Sequence, residues 1–363
     1  MVRAGLGESW DCLFANDICT KKAAAYEDNW GSGSFFLKDI AKVRTNDVPG
    51  IADLAWASFP CQDLSLAGAG AGLNGDRSGT FWRFWGLMER LRTKGRSPSV
   101  IVLENVYGAI TSNRGRDFKS IINVLARRHR VGGMVIDAIR FVPQSRPRLF
   151  IVAVDHTIDI DSSLTSSIPS AYWHPRALLE VFHSLDSSVQ KRWIWWNLQV
   201  PNVELKSLED IVEREPTGVT WHSNEETRRI LSMMSPLNRK KVSEVQSDGR
   251  RHVGTIYRRT REGRQRAEVR FDGISGCLRT PSGGSSRQSI VVVEGAEIRT
   301  RLLSAREAAR LMGLSENYRL PDSYNEGYHL AGDGVVVPVV SHLSKYLLTP
   351  LAVGNQKAQR LAA

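Results

Sequence analysis

The sequence predicts an α/β protein built on a doubly wound, mostly parallel sheet, with a smaller, irregular second domain. Two observations carry this: short apolar strands alternate with helical stretches through the first 155 residues, and the alternation stops after Val154. Cys12–Asn16, Ile51–Phe59, Val100–Leu103, Val135–Phe141 and Leu149–Val154 read as strands, being apolar runs bounded by turn residues. Between them, Thr20–Asn29, Thr80–Lys94 and Asp117–Arg128 have helical periodicity. Strands separated by helices pair in parallel, and such sheets place ligands at the carboxyl ends of their strands. Asp17, Asp39, Pro60-Cys61 and Glu104 all fall at those ends.

Residues 156–290 are polar, with aromatic patches, and read as a separate module. Trp193, Trp195 and Trp196 are expected in a core rather than on a stacking surface. From Leu302 the helical period returns, and Ser304-Ala305-Arg306-Glu307 has the spacing of a capping box. Gly332–Val340 then leads into a helix through Leu347. The expected division is therefore 1–155, 156–300, and 301–363 as a return segment.

Composition narrows the partner. With 42% hydrophobic and 24% charged residues the chain is of ordinary globular type, and no apolar run is expected to span a bilayer, so a cytoplasmic protein is expected. The four cysteines (Cys12, Cys19, Cys61, Cys277) are too scattered for a disulfide framework and show no metal-ligand spacing. The net charge of +11 points to a polyanion, and its distribution says more. Eleven Lys or Arg against four acids between Arg239 and Arg270 account for +7 of it. A run of this kind beside base-directed chemistry is expected to track phosphates.

That chemistry rests on Phe59-Pro60-Cys61-Gln62, Glu104-Asn105-Val106 and Gln144-Ser145-Arg146-Pro147-Arg148, in that order. A thiol, a carboxyl group and two guanidiniums form the reagent set for attack on a cytosine ring. Methylation at C5 needs a nucleophile at C6, relief of charge at N3 and a donor at O2. After the cysteine, Asp63–Gly79 is a long loop of small residues with five glycines, expected to close over a substrate.

These motifs resemble those of the DNA (cytosine-5)-methyltransferase family. Ala15-Asn16-Asp17 and Lys38-Asp39-Ile40 resemble its two acidic strand ends. Leu278-Arg279-Thr280-Pro281-Ser282-Gly283-Gly284 and Gly332–Val340 resemble its closing motifs. The resemblance covers nearly the whole chain outside roughly 156–270, and implies a Rossmann-like methyltransferase fold using S-adenosylmethionine. It implies that Cys61 attacks C6, Glu104 bonds N3 and the exocyclic amine, Arg148 holds O2 and Arg146 supports the thiolate pocket. Asp17, Ile18, Asp39, Ile40, Pro60 and Asp333 would contact the cofactor. Ser65 would bind the phosphate of a flipped nucleotide, and Arg258, Arg259, Arg261, Gly283 and Gly284 would contact double-stranded DNA. The expected catalyst is a monomer associated with the nucleoid and not with a membrane, with no metal; a cognate restriction endonuclease is its expected partner at the system level.

Two departures stand out. Met1–Gly7 resembles the helix that follows the family's opening strand and glycine-rich turn, so the chain reads as truncated there. Cofactor affinity is thereby put in question. Asp333 stands where asparagine is common. Two alternatives stay open: a DNA-binding remnant without methyl transfer, and an RNA (tRNA) cytosine methyltransferase.

Overall fold

The computed structural model describes residues 1–59, 79–261, 263–279 and 287–354, with the backbone alone of Arg261. Cys61, Pro60 and Ser65, the rest of the expected lid up to residue 78, and Gly283 and Gly284 lie outside the described residues. The chain forms two compact units. The larger comprises Glu8–Ile136, Pro147–Val200 and Ser341–Ala363, and the smaller Met1–Gly7, Asp137–Arg146 and Pro201–Val340. This division differs from the expected one: 156–200 fall in the larger unit, while 1–7, 137–146 and 301–340 fall in the smaller.

In the larger unit, β1 (Ala15–Asp17) pairs in parallel with β2 (Phe35–Leu37), and α2 (Thr20–Trp30) links them. The Ala-rich turn of α2 buries Ala23 and Ala25, and the helix stops at Gly31, whose φ of 72° suits glycine. A second sheet has the order β3-β4-β6-β5, from β3 (Leu54–Ser58), β4 (Val100–Val106), β5 (His129–Asp137) and β6 (Pro147–Asp155). β3 and β4 are parallel, but β6 runs antiparallel to β4, so the sheet is mixed. Among the described residues no strand joins β1-β2 to β3, and the two remain separate sheets.

β4 is one of the two inner strands, and its apolar run Val100–Leu103 is almost fully buried, as a strand covered on both faces must be. The amphipathic α3 (Thr80–Arg92) and α4 (Arg116–Leu125) pack their apolar faces into one core with it, through Phe81, Trp85, Phe118 and Ile122. The three tryptophans belong to core packing as expected. Trp196 is fully buried in the short β7 (Thr165–Ser166) and β8 (Trp195–Trp196) pair, and Trp193 meets Trp195 edge-on beside α5 (Arg176–His183), which precedes α6 (Ser187–Gln190).

β5 begins six residues before the expected strand, and 138–140 form a 3-10 turn capped by Asp137 instead of extended chain. Gly132-Gly133 masks the strand in the sequence. A Cβ at Gly132 would stand 2.2 Å from the Ile194 carbonyl oxygen, so close strand packing requires glycine there.

In the smaller unit, Val2–Leu6 forms the helix α1, consistent with the reading of Met1–Gly7. The expected irregular module contains a four-stranded antiparallel sheet, β10-β9-β11-β12. Its strands are β9 (Arg251–Arg261), β10 (Arg264–Arg270), β11 (Ser289–Glu294) and β12 (Glu297–Leu302). α8 (Asn224–Ser232) and α9 (Pro236–Ser247), which follow the short α7 (Leu208–Ile211), cover one face through Ile230, Met234 and Val242 against Ile256, Ala267 and Val269.

α10 (Ala305–Leu311) begins at the Ser304–Glu307 capping box. α11 (Tyr324–Asp333) and α12 (Val337–Leu343) follow. The run Tyr324–Gly354 is apolar enough by composition to cross a bilayer, contrary to the sequence expectation. It is broken at Gly334–Val336, and 56% of its apolar window is buried within the protein, as in core helices.

Candidate active site

The carboxyl end of β4 carries the chemistry. In the antiparallel register Glu104 lies opposite Phe150 and Val106 opposite Arg148. Alternation therefore puts Glu104 and Arg148 on the same face as diagonal neighbours. They form an ion pair, Arg148 Nε to Glu104 Oε1 at 3.3 Å, with side chains 15% and 10% exposed. Arg148 also donates from Nη1 to its neighbour's carbonyl, Pro147 O, at 3.0 Å. A carboxyl group so shielded from water acts more strongly on a bound polar ring than a surface one does.

Asn105 points to the other face and was given no role by the sequence. Its Nδ2 donates to Phe59 O at 2.9 Å, and its Oδ1 accepts from the Val106 N–H at 2.8 Å. Asn105 and Phe59 are 7% and 8% exposed. The amide thus ties the end of β4 to the residue two positions before Cys61. The signal was present in the sequence: an amide beside a carboxylate at a strand end must face the opposite way.

At the parallel pair, Asp17 closes β1 and accepts from the Cys19 N–H at 2.9 Å through Oδ1. Asp39 follows β2 and accepts from the Ala41 N–H at 2.9 Å, capping the turn Ile40–Lys42. Asn16, also unassigned by the sequence, donates to Phe36 O at 2.8 Å and Lys38 O at 2.7 Å, fixing the two strand ends to each other. Lys38 is held by Asp47 at 2.7 Å; the Arg44 N–H and then the Lys38 ammonium keep that carboxyl below its usual range.

Each of Asp17 and Asp39 bonds its own backbone through one oxygen. Among the described residues the other oxygen makes no hydrogen bond. Ile18, immediately after Asp17, is 68% exposed. Acceptors at two strand ends beside an uncovered aliphatic side chain fit the hydroxyls and the flat base of an adenosine. The described residues therefore suit that half of S-adenosylmethionine.

The structure places Arg146 and Asp333 in the smaller unit. Arg146 is 2% exposed and donates to Leu278 O at 2.8 Å, Gly332 O at 2.7 Å and Gly334 O at 2.8 Å. It therefore clamps the carbonyls on either side of Asp333, and its Nη1 lies 3.3 Å from Cys277 Sγ. Gln144, fully buried, joins the same segment by donating to Leu311 O at 2.8 Å and accepting from the Leu278 N–H at 3.1 Å. Both are members of the Gln-Ser-Arg-Pro-Arg motif, so that motif divides its work. Gln144 and Arg146 staple the smaller unit, while Arg148 pairs with Glu104.

Of the DNA-contact candidates, Arg259 is exposed and lies 3.9 Å from Glu268, while Arg258 falls on the other side of β9. The described residues contain no cluster able to hold a metal ion.

Comparison with known proteins identifies the family. The C-5 cytosine-specific DNA methylase family matches residues 2–349. Type II methyltransferase M.NgoBI of Neisseria gonorrhoeae is 27% identical over 98% of this chain and 92% of its own length. Type II methyltransferase M1.ScrFI of Lactococcus lactis is 25% identical over 93% and 72%. Among solved structures, a putative DNA modification methyltransferase of an E. coli prophage superposes with a TM-score of 0.56 at 16% identity, covering 96% of this chain and 95% of that one. The Dnmt2 methyltransferase of S. pombe gives 0.54 at 19%, covering 94% and 91%. Both structures share the fold. With the match running over nearly its full length, this chain belongs to the C-5 cytosine-specific DNA methylase family, enzymes that methylate cytosine C5 in DNA with S-adenosylmethionine as donor.

Proposed function

We propose that the chain methylates cytosine within a specific duplex DNA sequence, through a covalent bond between Cys61 and C6 of a flipped base. The observation that supports this most is the shielded Glu104–Arg148 pair at the end of β4, with Asn105 holding the chain just before Pro60-Cys61. In this reading the Cys61 thiolate adds to C6 while Glu104 hydrogen-bonds N3 and the exocyclic amine, stabilising the charge that attack creates. Arg148 donates to O2, and its separation from Glu104 suits the N3–O2 edge of one pyrimidine. S-adenosylmethionine supplies the methyl group, with Asp17, Ile18, Asp39 and Ile40 holding its adenosine. Loss of the C5 proton then expels the thiolate and restores the aromatic ring. Flipping the base costs a few kcal/mol, which binding to the duplex offsets.

The larger unit would carry the chemistry and the smaller one the target readout. Arg146 would act indirectly, by fixing Gly332–Gly334. A cytoplasmic monomer, alongside a cognate endonuclease, completes the proposal.

The test is methyl transfer from labelled S-adenosylmethionine to unmethylated duplex DNA by the wild type and Cys61→Ser. The expected result is label at cytosine C5 that disappears in the variant. Label that persists in Cys61→Ser, or that sits on the exocyclic nitrogen, overturns the mechanism.

A further inference from the structure

The hairpin of β9 and β10 sorts its side chains onto two chemically different faces. Its register sets Tyr257 opposite Glu268, Arg259 opposite Arg266 and Arg261 opposite Arg264. By strand alternation Tyr257, Arg259, Arg264, Arg266 and Glu268 share one face with Arg270, while Ile256, Arg258, Ala267 and Val269 share the other. The second face is the one packed under α8 and α9, since Ile256, Ala267 and Val269 belong to that core. Arg258 therefore faces the helix layer, and its charge depresses the pKa of His222, after the larger effect of burial.

This face is open towards the hairpin tip, where Arg259, Arg264 and Arg266 are all exposed, while Thr255 at its inner end is buried. Like charges set directly across a ladder destabilise a sheet. Glu268 is the acid on this face, and it reaches Arg259 at 3.9 Å. The ring of Tyr257 lies under two guanidiniums, Arg259 at 4.9 Å and Arg279 at 5.4 Å, which holds both in place. An arginine-rich, two-stranded ribbon with one face open matches a partner that is polyanionic and grooved. The major groove of duplex DNA admits a two-stranded ribbon.

We propose that the open face of the β9–β10 ribbon is the surface that lies along duplex DNA. Arg259, Arg264 and Arg266 contact phosphates, and the Tyr257–Arg279 stack anchors the inner end. This rests on the reading above that duplex DNA is the substrate. It keeps Arg259 from the expected contacts, adds Arg264 and Arg266, and leaves out Arg258, which faces the helix layer.

The test measures equilibrium binding to duplex DNA over a range of salt concentrations, for wild type, R264Q/R266Q and the control R229Q/K240Q. The control removes the same charge from α8 and α9. Loss of two phosphate contacts should lower the slope of log K against log salt by about 1.8, and weaken binding roughly 30-fold at 0.15 M salt. The control should keep the wild-type slope. Melting curves confirm that the exposed substitutions leave the fold intact.

An unchanged slope in R264Q/R266Q overturns the proposal, as does an equal loss in the control. Selective loss of duplex RNA binding, with DNA binding retained, also overturns it. Binding does not depend on methyl transfer, so failure of the ribbon is distinguishable from failure of the catalytic reading, which the Cys61→Ser comparison reports separately.

Discussion

Asn105→Ala isolates the contact that positions the nucleophile segment. In the structure the Asn105 amide donates to Phe59 O at 2.9 Å with both residues nearly buried. Alanine removes the donor and leaves a shielded carbonyl without its partner, which costs about 1–3 kcal/mol. At about 2 kcal/mol, a unit of roughly 200 residues should lose about 4–8 °C in Tm. The same bond fixes the chain two residues before Cys61, so methyl transfer should suffer beyond the loss of folded protein. Small misplacements of reacting groups cost about 100-fold in rate.

The assay pairs thermal denaturation with steady-state methyl transfer, at a temperature where both proteins are fully folded. The expected outcome is a large fall in kcat with KM for DNA nearly unchanged. Asn105→Asp should be worse than alanine, since it turns a carboxylate oxygen toward a carbonyl. A Tm within 1 °C of wild type, or a kcat unchanged in folded protein, would refute the idea that this amide positions the segment.

Two further outcomes follow from buried polar groups. Arg301 and Glu307 are fully buried and form a bidentate pair at 2.6 and 2.7 Å, and Glu307 also accepts from the Ser304 and Glu213 N–H groups. Glu307→Gln leaves a buried guanidinium without its counter-charge and should cost about 3–5 kcal/mol in urea denaturation, with R301M/E307Q recovering part of it. His174, 2% exposed, accepts from the Ser170 N–H at 2.8 Å and has its pKa pushed from 6.5 down to about 4 by burial. Neutral His174 is favoured by folding, so its contribution is complete above pH 6.5 and is lost as the pH falls toward 4, by up to about 1.4 kcal/mol per unit. His174→Asn keeps an acceptor for Ser170 and should flatten that part of the stability–pH curve; an unchanged curve would assign the acid sensitivity elsewhere.

The residues that sequence reasoning placed well were those whose pattern and chemistry coincide. Val100–Leu103 is an apolar run ending in Glu104, and its strand stands as expected. The sequence placed a strand end at Asp39 but gave β2 no bounds, because Phe35–Leu37 is three residues long, too short to show alternation. β9 and β10 were read as a charge run because every second residue is polar and the buried positions are as small as Ala267. Their arginines were visible, but which of them share a face depends on register, and register is set by the pairing partner. Arg146 shows a similar limit. Spacing identified the motif, while the destination of its donors depended on carbonyls at 278, 332 and 334, far along the chain.

The separation of β1-β2 from β3-β4-β6-β5 has a kinetic consequence. Among the described residues, β1 bonds only to β2 and β3 only to β4, so each keeps one edge of its backbone outside any ladder. In native-state amide exchange, the protons of Val100–Leu103 should leave only with global unfolding, while those of Ala15–Asp17 and Leu54–Ser58 should leave through local opening. Asp17 thus sits on a strand expected to open locally. Occupancy of that strand end by adenosine would register first as slowed exchange at Ala15–Asp17, before any change at β4.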